Sequence, residues 1–226
     1  MPISNVNLPE INFKNRDNDY KINESYKKSL IKRANKFVEG EFVFFSKNNF
    51  FVSSPPNWFV NPSNNKIYPG KKYHWSEIKF KQGSDVKIAW ELSRWDWAVI
   101  LAKAWRLTLD KKYKNCLNKW LENWCTENPF NAGINWTCGQ EVSIRMINAL
   151  NCWNLLDNNS NNLPNLYPNR IEFIRKSINR IYKTKFYAKA QANNHWLSES
   201  AALFIGANYL LYGASKKSYL LKLILR

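Results

Sequence analysis

Residues 113–125 read Tyr-Lys-Asn-Cys-Leu-Asn-Lys-Trp-Leu-Glu-Asn-Trp-Cys, and this stretch decides the fold class. Its large apolar residues stand at Tyr113, Leu117, Trp120, Leu121 and Trp124, with mainly polar residues between them. That spacing matches the 3.6-residue turn of an α-helix with one face in a core. The stretch therefore predicts an amphipathic helix, and the Asp at position 110 is suited to cap its start.

The same helical period recurs on both sides of this stretch. Before it, the apolar positions are Trp90, Trp97, Leu101 and Ala104. After a capping-box pattern at Thr137 to Gln140 they are Val142, Met146, Leu150 and Trp153, and a fourth helix has Ile171, Ile174, Ile178 and Ile181. A fifth helix is predicted from Trp196 through Ser200, Leu203 and Ala207. Asn128-Pro129 and a loop from Asp157 to Asn169 separate successive helices. Helices joined in this way predict a mainly all-α fold, an incomplete α/α toroid of helical hairpins.

The N-terminal part of the chain has a different pattern. Asn23 to Phe37 predicts one short amphipathic helix, whereas Gly40 to Gly83 is rich in aromatic, Pro and Asn residues without a sustained period. We expect an extended, irregular segment that wraps over a helical body. The predicted division is therefore residues 1–84 for this segment and residues 85–226 for the helical hairpins.

The charge indicates the kind of partner. Lys and Arg outnumber Asp and Glu by 34 to 17, and the formal net charge is +17. Nucleic acid, anionic lipid and acidic polysaccharide all fit such a surface. The sequence shows no signal peptide and no apolar run long enough to cross a bilayer, so we expect no membrane partner and, for the chain as given, a cytoplasmic location.

The cysteines give no sign of a metal centre. The four, Cys116, Cys125, Cys138 and Cys152, contain no C-x-x-C pair and fall mainly in helix-like segments. Buried free thiols are favoured over a zinc site or a disulfide framework. No metal and no cofactor is expected.

Two histidines are candidates for chemistry. His195 follows Asn193 and Asn194 at the predicted start of a helix, where Asn commonly caps exposed backbone N–H groups. The alternative is that this helix start directs amide and imidazole donors at an anion such as a sugar carboxylate. His74 lies in a basic aromatic stretch that reads as an exposed loop, with a direct role as the second possibility.

Other polar residues interrupt the apolar helices. Glu91 and Arg94 stand in the first helix after residue 85, and Asn135 and Trp136 lie in a loop, where ligand groups are often found. Glu141 and Arg145 are four residues apart, which predicts an ion pair on a helix surface.

Taken in order, four blocks of this sequence resemble the heparinase II/III family. The blocks are Asp85-Val86-Lys87-Ile88-Ala89-Trp90-Glu91-Leu92-Ser93-Arg94; Asn128-Pro129 with Gly133-Ile134-Asn135-Trp136; Glu141-Val142-Ser143-Ile144-Arg145; and Asn193-Asn194-His195 with Glu199. The resemblance implies an N-terminal α/α toroid joined to a C-terminal β-sandwich, and cleavage of uronate-containing polysaccharides by β-elimination.

The resemblance also implies roles for residues. Asn194 and His195 would be catalytic, meeting the uronate carboxylate whose neighbouring proton is removed, because elimination needs donors that stabilise the developing charge. The substrate-binding set would be Glu91, Arg94, Asn135, Trp136, Asn193 and Glu199.

We expect this chain to be a truncated member of that family. The family associates a downstream Tyr and a later β-sandwich with proton transfer, and neither is recognised after His195. The 226-residue chain alone is therefore expected to be a poor or inactive lyase, with a separately encoded C-terminal part as one possible partner. The alternatives are a non-catalytic carbohydrate-binding remnant and, less favoured because no binding motif is recognised, a basic nucleic-acid-binding helical protein.

Overall fold

A computed structural model describes residues 23–44, 48–80, 86–157 and 170–213. The helices are α1 Glu24–Val38, α2 Lys87–Leu92, α3 Asp96–Thr108, α4 Lys111–Glu127, α5 Gly139–Asp157, α6 Arg170–Lys183, α7 Lys185–Gln191 and α8 Asn194–Gly213. Short 3-10 helices occupy Trp75–Glu77 and Ile134–Trp136. Two antiparallel hairpins pair β1 Glu41–Phe44 with β2 Asn48–Phe51 and β3 Val60–Asn61 with β4 Lys66–Ile67. The mainly all-α class is confirmed, whereas the toroidal curvature stays a prediction.

Helix α5 is the centre of the helical array. It packs against α3, α6 and α8, and α3 also packs against α1 and α4. Gly206 lets α8 approach closely, since a Cβ at that position would lie 2.9 Å from the Met146 methyl and 3.1 Å from Ile178 Cδ1. The helix start that bears His195 is thereby fixed against the same helix that follows the 134–136 turn.

The core is built largely from aromatic rings. Trp58 stacks on Trp97 at 5.9 Å, and Trp120 meets Trp97 edge-on at 5.1 Å between ring centroids. Phe42 of β1 stacks on Trp120 at 5.7 Å, so the first hairpin completes the core of the helices. The core therefore draws residues from both sides of the predicted division at 84/85.

Several elements differ from the sequence-based prediction. The first helix after residue 85 is interrupted between Leu92 and Asp96, and the Gly40 to Gly83 segment contains the two hairpins. The capping box at Thr137 was wrong: α5 begins at Gly139, and the Thr137 hydroxyl donates to the Ile134 carbonyl at 2.7 Å. Helix α7 was not anticipated.

The structure tests the membrane and thiol predictions for the residues that it describes. Within the described ranges, no helix is both long and apolar enough to cross a bilayer. All four cysteines are free thiols; Cys116 and Cys152 are buried, and Cys125 and Cys138 are half-buried. The predicted loop at 158–169 and the N-terminal residues 1–22 lie outside the described residues.

Candidate functional site

The interruption between α2 and α3 positions Glu91 and Arg94. Trp95 adopts φ +66°, a left-handed conformation that is strained for a bulky residue and turns the chain sharply. The carbonyls left at the end of α2 each find a side-chain donor. Trp97 Nε1 binds the Leu92 carbonyl at 2.9 Å, Arg145 binds that of Ser93 at 3.2 Å, and Asn148 binds that of Arg94 at 2.9 Å. The break is thus a defined corner that holds Arg94 in place.

Arg94 joins two carboxylates. Its guanidinium donates to Glu141 at 2.7 and 2.8 Å, a two-point pair, and it also binds Glu91. Although burial alone lowers the pKa of the Arg94 guanidinium, Glu141 and Glu91 raise it above its ordinary value. Burial raises the pKa of the Glu91 carboxyl, with Arg94 opposing this effect. The cluster fixes one side of the start of α5, and Arg94 remains partly open to solvent.

Asn135 and Trp136 lie behind the surface. Asn135 donates its amide to the Trp58 carbonyl at 3.0 Å and to the Asn128 side chain at 2.8 Å, and Trp136 Nε1 donates to the Asn128 carbonyl at 3.2 Å. Both side chains are buried, with exposed fractions of 0% and 2%. Their donors are used inside the protein, on the backbone carbonyls of Trp58 and Asn128 and the Asn128 side chain, so neither residue faces solvent as a direct substrate contact would.

The carbonyls of this turn are held by three helices. Trp90 of α2 binds the Ile134 carbonyl at 3.0 Å, and Arg145 of α5 binds that of Asn135 at 2.7 Å. Arg180 of α6 binds the next two carbonyls, those of residues 136 and 137, at 2.6 and 2.7 Å. We call residues 133–137 with these three donors the clamped turn. It fixes the direction in which α5 starts.

Two arginines of the clamped turn were not predicted as buried. Arg145 lies between the rings of Trp124 and Trp136, at 4.5 and 5.2 Å. Glu141 and Arg145 are both buried and Glu141 pairs with Arg94, so the predicted helix-surface ion pair of Glu141 with Arg145 was wrong. Arg180 stacks on Trp75 at 3.6 Å, and burial lowers its pKa to about 10. One weak signal of this burial is present in the sequence, because Arg180 adjoins the apolar stripe of α6.

His74 belongs to the surface over this turn. Its side chain caps the 3-10 helix at Trp75–Glu77, and its ring nitrogen lies 2.7 Å from the Ser76 hydroxyl. The backbone of His74 bridges to Ala132. His74 is exposed, which matches the loop interpretation.

The start of α8 carries the Asn-Asn-His block. The Asn193 side chain accepts from the His195 backbone N–H at 2.9 Å, so the capping interpretation holds for Asn193. Asn193 and Asn194 are exposed, and His195 is half-buried. Capping and ligand binding are compatible here, because Asn194 and the His195 ring remain accessible at a helix N-terminus, where anions are stabilised.

Glu199 lies one turn below His195. Its Oε1 is 3.7 Å from His195 Nδ1, and its side chain is 4% exposed. The carboxyl rests against the start of α5, where a Cβ on Gly139 would lie 2.7 Å from Oε1. Burial raises the pKa of Glu199 to about 7, and Arg180 opposes this effect. Oε2 has no hydrogen-bond partner among the described residues, so the group can serve as a nearly neutral acid or a charged partner of His195.

Cys138 connects the two halves of the site. Burial raises the pKa of its thiol, and the Glu141 and Glu199 carboxyls add to the rise. Glu141 carries the Arg94 cluster and Glu199 carries His195, so both sets flank the start of α5. Sequence reasoning did not single out this cysteine. Within the described ranges, no group of three or more His, Cys, Asp and Glu side chains is arranged to hold a metal ion.

Comparison with known proteins identifies one family. A family model described as Heparinase II/III N-terminus matches residues 7–210. Neither the curated proteins nor the solved structures gave a match. The match covers every predicted site residue.

Proposed function

Because the chain belongs to the heparinase II/III N-terminus family, we propose that it binds an acidic, uronate-containing polysaccharide and contributes Asn194 and His195 to β-elimination. This membership shows that the domain is related to polysaccharide lyases. The proposed substrate and catalytic residues are supported by the pairing of a half-buried His195 with the buried Glu199 carboxyl at a helix N-terminus.

The reaction asks for charge stabilisation beside the reacting carbon. In β-elimination a base removes the proton next to the uronate carboxylate, the electron pair forms a carbon–carbon double bond, and the bond to the leaving glycosidic oxygen breaks. That oxygen then takes a proton. Negative charge builds up on the carboxylate during proton removal, so donors fixed at that position lower the barrier.

In the proposal, Asn194 and His195 meet the uronate carboxylate. The start of α8 favours an anion through its dipole and its exposed N–H groups. Glu199 holds the imidazole of His195 in position, since its Oε1 lies 3.7 Å from Nδ1. Asn193 holds the backbone of this helix start through its cap.

Further contacts to the sugar chain are proposed on the other side of α5. Three of the five N–H groups of Arg94 bind Glu141 and Glu91, which leaves donors for a hydroxyl or carboxylate. Glu91 and Arg94 are therefore proposed to bind sugar directly. Asn135 and Trp136 are proposed to act from beneath, by holding the clamped turn in place.

The test separates binding from turnover. Purified chain is mixed with heparan sulfate or alginate, binding is measured by calorimetry, and unsaturated uronate is followed by its ultraviolet absorbance. His195→Gln is compared with His74→Gln, which changes the other histidine of the chain. Any product formation by the wild type should fall by about 10²–10³-fold in His195→Gln, because a donor to the uronate carboxylate is lost, and should be kept in His74→Gln.

Each outcome decides a part of the proposal. Product formation that survives His195→Gln would refute the catalytic role of His195. Binding of acidic polysaccharide without product in the wild type would instead support a carbohydrate-binding domain. A stronger affinity for nucleic acid than for either polysaccharide, with a steep salt dependence, would replace the polysaccharide by a nucleic acid.

A further inference from the structure

The two helices on either side of the Asn-Asn-His block carry several exposed aromatic and apolar side chains. Phe186 and Tyr187 of α7 are 74% and 62% exposed, and Trp196 and Leu197 in the first turn of α8 are 43% and 74% exposed. We call these four residues the α7–α8 platform. A cluster of exposed apolar side chains is more often a binding surface than exposed apolar residues that are scattered singly.

The platform belongs to two helices that pack on each other. Helix α7 ends at Gln191, the chain turns through Ala192 in a left-handed conformation, and α8 begins at Asn194. Phe186 and Tyr187 stand in the first turn of α7, so their backbone lies roughly 8 Å along the helix from the turn at Ala192. A ligand that contacts both the α7 rings and the helix start at His195 must therefore be longer than a single sugar.

The same region is strongly positive. Between Glu172 and Glu199 the sequence contains six Lys or Arg residues and no Asp or Glu. Lys183 and Lys189 are exposed on either side of the rings. The Lys185 ammonium lies 3.5 Å from the centroid of Tyr182 and 5.0 Å from that of Phe186, so charge and ring faces are interleaved.

Core packing does not account for these rings. Helix α7 buries Ala188 against its neighbours, while its two large aromatic residues point to solvent. A helix that served solely as a cover would be expected to turn its aromatic face inward and its lysines outward. Here both kinds of side chain are presented together on the outside.

We infer that the α7–α8 platform binds an extended anionic polysaccharide chain on the side of His195, with rings stacking on sugar faces and lysines pairing with carboxylate or sulfate groups. This rests on the proposed function and adds a second contact region to it. Charge complementarity favours a polyanion, and continuity with the His195 helix start favours the same polymer that meets Asn194 and His195. Flat rings suit the apolar faces of pyranose sugars as they suit other flat ring systems.

The test compares chain lengths of one ligand. We measure the affinity for long heparan sulfate and for a heparan sulfate disaccharide at several salt concentrations. The proteins compared are the wild type, the double variant Phe186→Ser with Tyr187→Ser, and the double variant Lys183→Gln with Lys189→Gln. The matched controls are Phe51→Ser, a 77% exposed ring on β2, and Lys28→Gln with Lys32→Gln on α1. Thermal melting of each variant checks that the fold is kept.

The platform predicts a loss that depends on length. Each platform variant should lower long-chain affinity by about tenfold, an effect of roughly 1.4 kcal/mol, and lower the ratio of long-chain to disaccharide affinity. The lysine variant should also reduce the salt slope by about two, because two cation contacts are removed. The controls should keep the wild-type ratio.

Other results would overturn the inference. An unchanged ratio in both platform variants excludes the platform, even where His195-dependent product formation supports the proposed function. The platform variants are also tested for binding to anionic phosphatidylserine vesicles and to single-stranded DNA. If their affinity for one of these ligands falls as much as their affinity for heparan sulfate, or more, the platform is assigned to that ligand. Conversely, a length-dependent loss without any product formation would sustain the platform and refute the elimination step.

Discussion

Glu199 should make the stability of this protein fall as the pH rises through the neutral range. Burial raises its pKa from an ordinary 4.5 to about 7, so the folded protein holds a proton that the unfolded chain has already released. The stabilisation from this proton is complete below pH 4.5 and is lost as the pH rises to about 7. A shift of this size corresponds to about 3 kcal/mol at most.

Glu199→Gln isolates this effect, because the amide keeps the shape of the carboxyl but does not ionise. Urea unfolding of the wild type and the variant is measured between pH 4.5 and pH 8. The variant should match the wild type near pH 4.5 and exceed it by about 2–3 kcal/mol near pH 8. Glu91 and Asp96, whose pKa values are also raised by burial, are present in both proteins and cancel in the difference. A difference that does not vary with pH would refute the reasoning.

Three further changes test the geometry of the site and the helices. Arg94→Ala leaves the buried Glu141 carboxylate without its two-point partner, so urea unfolding should show a loss of about 3 kcal/mol or more, whereas replacing both Arg94 and Glu141 by Met should cost less. Gly139→Ala places a Cβ 2.7 Å from Glu199 Oε1, so we expect the free energy of unfolding to fall by about 1–3 kcal/mol. We also expect the pH dependence of product formation to change, and an unaltered pH profile would show that the carboxyl has not moved. Leu109 is 65% exposed at φ +56°, so Leu109→Gly should raise the free energy of unfolding by about 0.5–1 kcal/mol, and a lower melting temperature would contradict the strain argument.

Local periodicity was sufficient to predict most of the helices. The five apolar residues that defined α4 are all buried, and Asp110 caps it by accepting from the Lys112 backbone N–H at 3.0 Å. Both features depend on neighbours within one or two turns, which a single sequence contains. The inward residues of α5 were predicted for the same reason, and Val142, Met146, Leu150 and Trp153 are buried.

The corner at Trp95 was beyond such reasoning. Its apolar pattern continues that of a helix, and the chain turns there because Arg145 and Asn148, about 50 residues later, bind the released carbonyls. The burial of Asn135 has a similar origin, since its partner is the carbonyl of Trp58, far upstream. Long-range polar contacts of this kind leave no local period in the sequence.

The residue types of the candidate site could be predicted from the sequence, whereas the burial of its individual side chains was harder to predict. His195 and Glu199 were chosen from the sequence, and they lie one helical turn apart as their spacing requires. Arg180 was not chosen, because a cation in a basic segment reads as a solvated side chain. Its burial became apparent once Trp75 and the carbonyls of the clamped turn were placed around it.

Because of the clamped turn, the helix start at His195 and the α7–α8 platform should differ in how easily they open locally. Hydrogen bonds from α2, α5 and α6 converge on its carbonyls, so releasing it requires three helices to separate together. Amide hydrogens of residues 134, 136 and 137 bind the carbonyls of Pro69, Gly133 and Ile134, and should consequently exchange with solvent at rates set by opening of the whole core. Helix α7 has little buried area by comparison and can open at lower free energy. In the proposed function, an acidic polysaccharide would therefore contact a rigid helix start at His195 and, at α7, a helix that opens more easily.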